Sequence, residues 1–230
     1  MAKEKILVVD DEKSIAEAVT YTLKQEGFRT TIAHDGAKAL ELARRELPDL
    51  IVLDWMLPEV DGLEACRILK QDAKTAHIPV IMLTVKSEET DKVLGLEMGA
   101  DDYMTKPFSS RELVARVKAV LRRRNAAASV ELVQIGELRV DWGKHLVWVT
   151  HKPVALTSKE FDLLRVLLEA NGRVLTRDAL LEHVWSYERA VEIETRTVDL
   201  HISQLRKKLG PVGKRILTLK NVGYRFVIDE

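Results

Sequence analysis

Cysteine is almost absent: Cys66 stands alone among 230 residues. That excludes an internal disulfide and any Cys-cluster zinc site, and leaves a buried small hydrophobe as the residue's ordinary role. Long apolar runs are missing as well. Stretches such as 78–83 fall far below the roughly 20 residues a bilayer-spanning helix needs. Met1-Ala2-Lys3-Glu4-Lys5 runs straight into the strand-like Ile6-Leu7-Val8-Val9, with no signal-peptide core between them. A cytoplasmic chain with no membrane association is therefore expected. Net charge is zero, from 36 basic and 36 acidic side chains, and aromatics make up only 5%. With 46% hydrophobic residues, this composition excludes collagen, low complexity and global disorder. The length suits one large domain or two ordinary ones.

The zero hides an uneven distribution. Residues 195–228 hold eight basic side chains (Arg196, Arg206, Lys207, Lys208, Lys214, Arg215, Lys220, Arg225) against one acid, Asp199. Such a stretch in a neutral protein points to a polyanion-binding face, or else to a solvated helix surface.

Residues 5–124 read as five rounds of short apolar strand and amphipathic helix. The strands are 5–9, 28–33, 49–54, 79–84 and 101–105, and the helices begin near Glu12, Gly36, Gly62, Glu88 and Ser109. Gly27 and Gly99 fall where helix C-caps are expected. Strands apolar on both faces and alternating with helices imply a doubly wound α/β domain with a parallel sheet, whose ligand site lies beyond the carboxyl ends of the strands. Residues 125–129, Asn-Ala-Ala-Ala-Ser, lack apolar periodicity and read as a linker between a domain at 1–124 and another at 130–230. In the latter, short strands at 131–135, 137–142, 145–150 and 153–156 suggest an antiparallel meander. Thr157 and Glu160 have capping-box spacing, three helices follow near 158–170, 177–185 and 195–209, and a hairpin at 216–228 turns at Asn221-Val222-Gly223.

Asp10 and Asp11 end the first strand, Asp54 the third, Thr84 the fourth, and Lys106 follows the fifth. Residues ending different strands on one edge of a parallel sheet converge. Three carboxylates at one rim repel one another and suit a hard divalent cation such as Mg²⁺. A carboxylate can accept a phosphoryl group if countercharge lies on the phosphoryl oxygens, which Mg²⁺ and Lys106 would supply while Thr84 gives a hydrogen bond. Asp54, on the central strand, is the expected acceptor. Singly, Asp11-Glu12 also reads as a helix N-cap with a first-turn acid.

With these residues in place, 5–124 resembles the receiver domain of two-component response regulators, a flavodoxin-like fold. The matching stretches are Ile6–Glu12, Asp49–Pro58 with Asp61-Gly62, Ile81–Thr84 and Gly99–Phe108. The resemblance implies that Asp54 takes its phosphoryl group from a cognate sensor histidine kinase. It further implies that Asp10, Asp11, Asp54 and the Met56 carbonyl hold Mg²⁺, and that Thr84 and Tyr103 form a switch pair. Tyr103 also reads as a half-buried strand aromatic. The family's transcription-factor branch forms homodimers through the fourth helix, fifth strand and fifth helix. The corresponding positions here pair Lys92 with Glu112, Asp102 with Arg116, Asp101 with Arg123 and Glu97 with Lys118.

In 194–210, Val198, Ile202, Leu205 and Leu209 follow the 4,3,4 spacing of a buried stripe. The opposite side carries Arg196, Leu200, Ser203, Gln204 and Lys207, a surface suited to a DNA major groove. Arg206, Lys207 and Lys208 suit phosphates. His201 reads as a helix-packing or phosphate-contact residue, because no ligand partner lies at metal spacing. Residues 130–230 resemble the α+β winged helix-turn-helix effector of the OmpR/PhoB branch, through Leu156–Leu164, Val174–Arg177, Val184-Trp185, Arg196–Asp199 with His201-Ile202, and Val222–Phe226. That implies direct-repeat promoter half-sites in double-stranded DNA, contacts that include Thr197 and the wing residue Lys220, and a loop at 187–194 that touches RNA polymerase. Two rivals are a degenerate receiver with constitutive DNA binding and an aspartyl-phosphate phosphatase. The phosphatase would want a second carboxylate two residues after the nucleophile, and Asp54-Trp55-Met56 offers none.

Overall fold

The computed structural model describes residues 3–85, 99–126, 132–185 and 196–228, with backbone alone at 123–126. The chain splits into two compact units, Met1–Ala126 and Ala127–Glu230. Among the described residues, no helix is long and apolar enough to cross a membrane.

The first unit is a five-stranded parallel sheet in the order β2-β1-β3-β4-β5. Its strands are β1 (Lys5–Val9), β2 (Arg29–Ala33), β3 (Leu50–Asp54), β4 (Val80–Thr84) and β5 (Asp102–Thr105). The described helices are α1 (Lys13–Gln25), α2 (Gly36–Glu46), α3 (Gly62–Gln71) and α4 (Ser110–Ala126). Because β3 and β4 are buried at every residue, they are apolar up to their last positions, Asp54 and Thr84. Alternate residues serve opposite faces. Ile6, Val8, Leu50, Val52, Ile81 and Leu83 pack in one core with Ala16, Val19 and Leu23 of α1 and Leu113 and Val117 of α4. Local chemistry sets the boundaries. Asp35 and Asp61 cap α2 and α3 by accepting from Lys38 N and Glu64 N, and Gly27 takes the left-handed conformation just past α1.

One difference from the sequence reading concerns the expected linker: α4 continues through Asn125 and Ala126, so these two residues are helical. Alanine is the strongest helix former, and the absence of an apolar stripe does not stop a helix already propagating. The remaining linker residues 127–129 lie outside the described residues, as does the expected helix near Glu88.

In the second unit, an antiparallel sheet runs β6 (Leu132–Ile135), β7 (Leu138–Asp141), β8 (Leu146–Val149) and β9 (Lys152–Val154) in sequence order. Then come α5 (Ser158–Glu169), the short strand β10 (Leu175–Thr176), α6 (Arg177–Trp185), α7 (Arg196–Leu209), a 3-10 turn over Gly210–Arg215, and the hairpin β11 (Ile216–Leu219) and β12 (Gly223–Phe226). The hairpin gains a third strand, since β10 pairs with β12. At two residues, β10 is too short to leave a period in the sequence. The capping box forms as expected, with Thr157 N donating to Glu160 Oε2 at 2.7 Å and Glu160 N donating to Thr157 Oγ1.

One glycine decides where the acidic rim sits. A Cβ on Gly62 would lie 1.8 Å from the Asp54 carbonyl oxygen, so the start of α3 packs directly on the end of β3. Gly62→Ala is expected to cost about 1–3 kcal/mol of stability by overpacking, read as a lowered midpoint in urea unfolding.

Candidate functional site

At the carboxyl rim of the first sheet, Asp10, Asp11 and Asp54 each place a carboxylate oxygen within 4.8 Å of the others. Asp10 is fully buried, Asp54 is 5% exposed and Asp11 faces solvent. Lys106 reaches in from the end of β5, its Nζ 2.8 Å from Asp10 Oδ2 and 3.0 Å from Asp54 Oδ1. Burial, helped by the neighbouring Asp10 charge, raises the Asp54 pKa above the ordinary carboxylate value, although Lys106 pulls the other way. Burial would lower the Lys106 pKa, but its hydrogen bonds to Asp10 and Asp54 outweigh that and raise it. Among the described residues one ammonium faces three carboxylates, which leaves two negative charges uncompensated. The set therefore fits a hard cation bound through oxygen.

Sheet register brings the other rim residues to the same edge. Thr84 ends β4 opposite Thr105, is 3% exposed, and its carbonyl accepts from Lys106 N at 2.7 Å. Tyr103 lies on β5 beside Met82 and is 7% exposed, so its ring is packed inward. Met56 lies two residues past β3 and is exposed. His34, not singled out in the sequence, also belongs here: it follows β2, and its Nδ1 lies 3.0 Å from the Asp10 carbonyl oxygen. The same rule of strand ends would have found it.

The expected dimer residues are partly engaged within the chain. Asp101 is a correction. Its Oδ2 accepts from Lys70 Nζ at 2.7 Å and from Val80 N at 2.9 Å, both residues of the pair being almost fully buried. Its charge is thus spent inside the protomer, away from any surface partner. Arg116 pairs with Glu112 at 2.6 Å and lies 3.6 Å from Asp102, while Lys118 pairs with Glu26, the C-cap of α1. Lys92, Glu97 and the side chain of Arg123 lie outside the described residues.

On α7 the expected stripe is confirmed: Val198, Ile202 and Leu205 are wholly buried and Leu209 nearly so. The stripe is wider than four residues, because Thr197 (2% exposed) and His201 (1%) also face inward, His201 lying 5.2 Å from the Trp185 ring. Both leave the expected DNA-contact set, since a core-facing helix stripe commonly spans more than 100°. Arg206 turns to the hairpin and donates to the Ile216 carbonyl, and Lys208 donates to buried Glu160 at 2.6 Å. Arg196, Ser203 and Lys207 are exposed, and Leu200 and Gln204 half-exposed, on one continuous side of the helix. Lys220 is exposed at the hairpin turn. The loop at 187–194 lies outside the described residues.

Beneath this face, Asp199 accepts from Arg177 Nε at 2.7 Å and from the Tyr224 hydroxyl at 2.6 Å. Burial and the Asp199 carboxylate both raise the Tyr224 pKa, which keeps the phenol a donor. The Asp199 carboxylate in turn raises the Arg177 pKa.

The chain matches two family models: "Response regulator receiver domain" over residues 6–118 and "Transcriptional regulatory protein, C terminal" over 151–226. It is 49% identical to the alkaline phosphatase synthesis transcriptional regulatory protein PhoP of Bacillus subtilis (strain 168), over 96% of each chain. It is 45% identical to the phosphate regulon transcriptional regulatory protein PhoB of Escherichia coli (strain K12), over 96% of this chain and 97% of that one. Among solved structures, a RitR mutant superposes with a TM-score of 0.78 at 30% identity, covering 98% of this chain and all of that one. A rim of acids and one lysine on a parallel sheet, joined in one chain to a helix with a polar and basic face, thus has full-length relatives, and the chain belongs to the OmpR/PhoB family of response regulators, DNA-binding transcription regulators built from a receiver and a winged-helix domain.

Proposed function

We propose that Asp54 is the phosphoacceptor and that its phosphorylation by a sensor histidine kinase in the cytoplasm gates promoter binding. The observation that carries this reading is the placement of Asp10, Asp11, Asp54 and Lys106 on one half-buried rim. Asp10, Asp11, Asp54 and the Met56 carbonyl would hold Mg²⁺, which when bound supplies countercharge to phosphoryl oxygens. Asp54 attacks the phosphorus of a phosphohistidine, forming the acyl phosphate as the bond to the imidazole nitrogen breaks. Lys106 then neutralises a phosphoryl oxygen from its position beside Asp54, and the Thr84 hydroxyl hydrogen-bonds another. Thr84 and Tyr103 lie two register positions apart on neighbouring strands β4 and β5, and are the proposed switch pair, a shift of Thr84 toward the phosphoryl group being followed by the Tyr103 ring.

Receivers then pair, and two winged helices occupy direct-repeat half-sites about one DNA turn apart. Lys92, Glu97, Asp102, Glu112, Arg116, Lys118 and Arg123 remain the proposed pairing residues, without Asp101. Arg196, Leu200, Ser203 and Gln204 are proposed to reach base edges, Lys207 the phosphates and Lys220 the minor groove, with 187–194 facing RNA polymerase. Turnover of the acyl phosphate is at most an intrinsic property of the receiver.

A phosphodonor must bring its imidazole to this rim. An open cavity of about 500 Å³ starts beside Lys106 and runs between α1 and the start of α4, lined by Ile15, Ala18, Val85, Pro107, Phe108 and Leu113. An apolar surface continuous with the acceptor site suits the donor domain.

Two outcomes follow. Protein treated with acetyl phosphate is expected to bind a promoter fragment more tightly than untreated protein, and Asp54→Ala should abolish the difference in a gel-shift titration. Equal affinity throughout would favour constitutive DNA binding. Ile15→Asp is expected to slow phosphotransfer roughly tenfold or more from whichever sensor kinase of the same cell labels the wild type, while leaving labelling by acetyl phosphate unchanged. A matching loss with both donors would place the defect in the acceptor site itself.

A further inference from the structure

The basic residues of α7 are not all turned to the outside, and one of them joins the helix to the wing. Arg206 Nε and one of its terminal nitrogens donate to the Ile216 carbonyl at 3.0 and 2.6 Å, and the same terminal nitrogen donates to Thr218 Oγ1 at 2.7 Å. Three of the five guanidinium N–H groups are therefore committed to β11. The guanidinium carbon also lies 5.5 Å from the centre of the Tyr224 ring, on the partner strand of the same hairpin, where Thr218 and Tyr224 face each other in register.

Tyr224 is held equally firmly from the other side. The Arg177 guanidinium, at the first residue of α6, lies 4.9 Å from the ring centre, and the Tyr224 hydroxyl donates to Asp199 in the first turn of α7. One tyrosine thus links α6, both ends of α7 and both strands of the hairpin. The hairpin's turn presents Lys220, and the exposed side of α7 presents Arg196, Ser203 and Lys207. The angle between these two surfaces fixes whether a helix in one groove and a turn in the next can be engaged at once.

We propose that Arg206 is a positioning residue for DNA binding: it sets the wing against α7 through Ile216, Thr218 and Tyr224, and does not act as a phosphate contact. Its contribution comes from the planar fork, which bridges two acceptors while lying against a ring. A lysine has the charge but not that geometry.

Charge and geometry separate in the salt dependence. Each phosphate contact that is lost makes the slope of log K against log salt shallower by about 0.9. The probe is a short duplex enriched from a random-sequence pool by binding to the wild-type full chain. Arg206→Lys and Arg206→Met are each expected to bind it roughly tenfold more weakly, with the slope shallower by no more than the contribution of Lys220. Lys220→Ala should make the slope shallower in the wild type, and should cost less affinity in the Arg206→Lys background than alone, because the wing is already misplaced. Circular dichroism checks the fold of each variant, and Arg206→Lys by itself decides the matter if Arg206→Met does not fold. Wild-type affinity in Arg206→Lys, a further fall in slope when Lys220→Ala is added to Arg206→Lys, or an equal cost of Lys220→Ala in both backgrounds would overturn the proposal.

Discussion

Lys106 carries a positive charge from the edge of the first sheet back to its centre, and the rim is organised around that reach. With the strands in the order β2-β1-β3-β4-β5, Lys106 follows an edge strand, while Asp54 ends a strand two places away. Two strand spacings amount to about 9–10 Å, a gap that a four-carbon stem helps to close and a short side chain would leave open. At the far end of that reach the ammonium meets Asp54 and Asp10 together. Burial makes the contact consequential. The same desolvation that raises the Asp54 pKa ensures that a change of charge at this carboxylate is only weakly masked by water.

The edge strand β5 is held in the same way at its other end. Asp101 immediately precedes it and is bound by Lys70 and Val80 N, and Lys106 immediately follows it. A four-residue strand has few ladder hydrogen bonds with which to fix its place, and two lysine–aspartate contacts on opposite rims compensate for that. They differ in kind. Lys70 and Asp101 are both almost fully buried, and losing either partner would strand a charge at a cost of about 3–5 kcal/mol. Lys106 remains partly solvated, so its contacts can be exchanged for others at the rim without the same penalty. Tyr103 lies between a fixed end and an exchangeable one, which suits the proposed coupling of its packing to Thr84.

What was legible in the sequence was whatever a local rule controls. The rim could be assembled because residues ending parallel strands must meet on one edge, and the Thr157–Glu160 box and the 198–209 stripe because their spacing is set by the helix itself. Asp101 was misread because a charge beside a strand says nothing about direction. Its partner, Lys70, lies 31 residues earlier, and no local pattern links the two. Thr197 entered the DNA-contact set through the family resemblance and is buried here, whereas His201 packs beside Trp185, as its helix-packing reading expected. The strand β10 exists only through its pairing with β12.

The same lesson applies to the eight basic residues between positions 195 and 228, whose number overstates what DNA can meet. Arg206 is bound to Ile216 and Thr218, Lys208 to Glu160, and Arg215 donates to the Ile228 carbonyl. Lys159, outside that stretch, shows the tendency at its extreme: it is 1% exposed, donates to the Val184 carbonyl at the end of α6, and lies 5.3 Å from the Trp185 ring centre. Long cationic side chains here satisfy carbonyls at helix and strand ends and cover aromatic faces, which a small three-helix domain cannot do with apolar groups alone. Arg196, Lys207, Lys214, Lys220 and Arg225 are left exposed. Counterion release scales with the cations that reach phosphates, so the exposed set bounds the nonspecific term, and the inward set governs the shape that carries specificity.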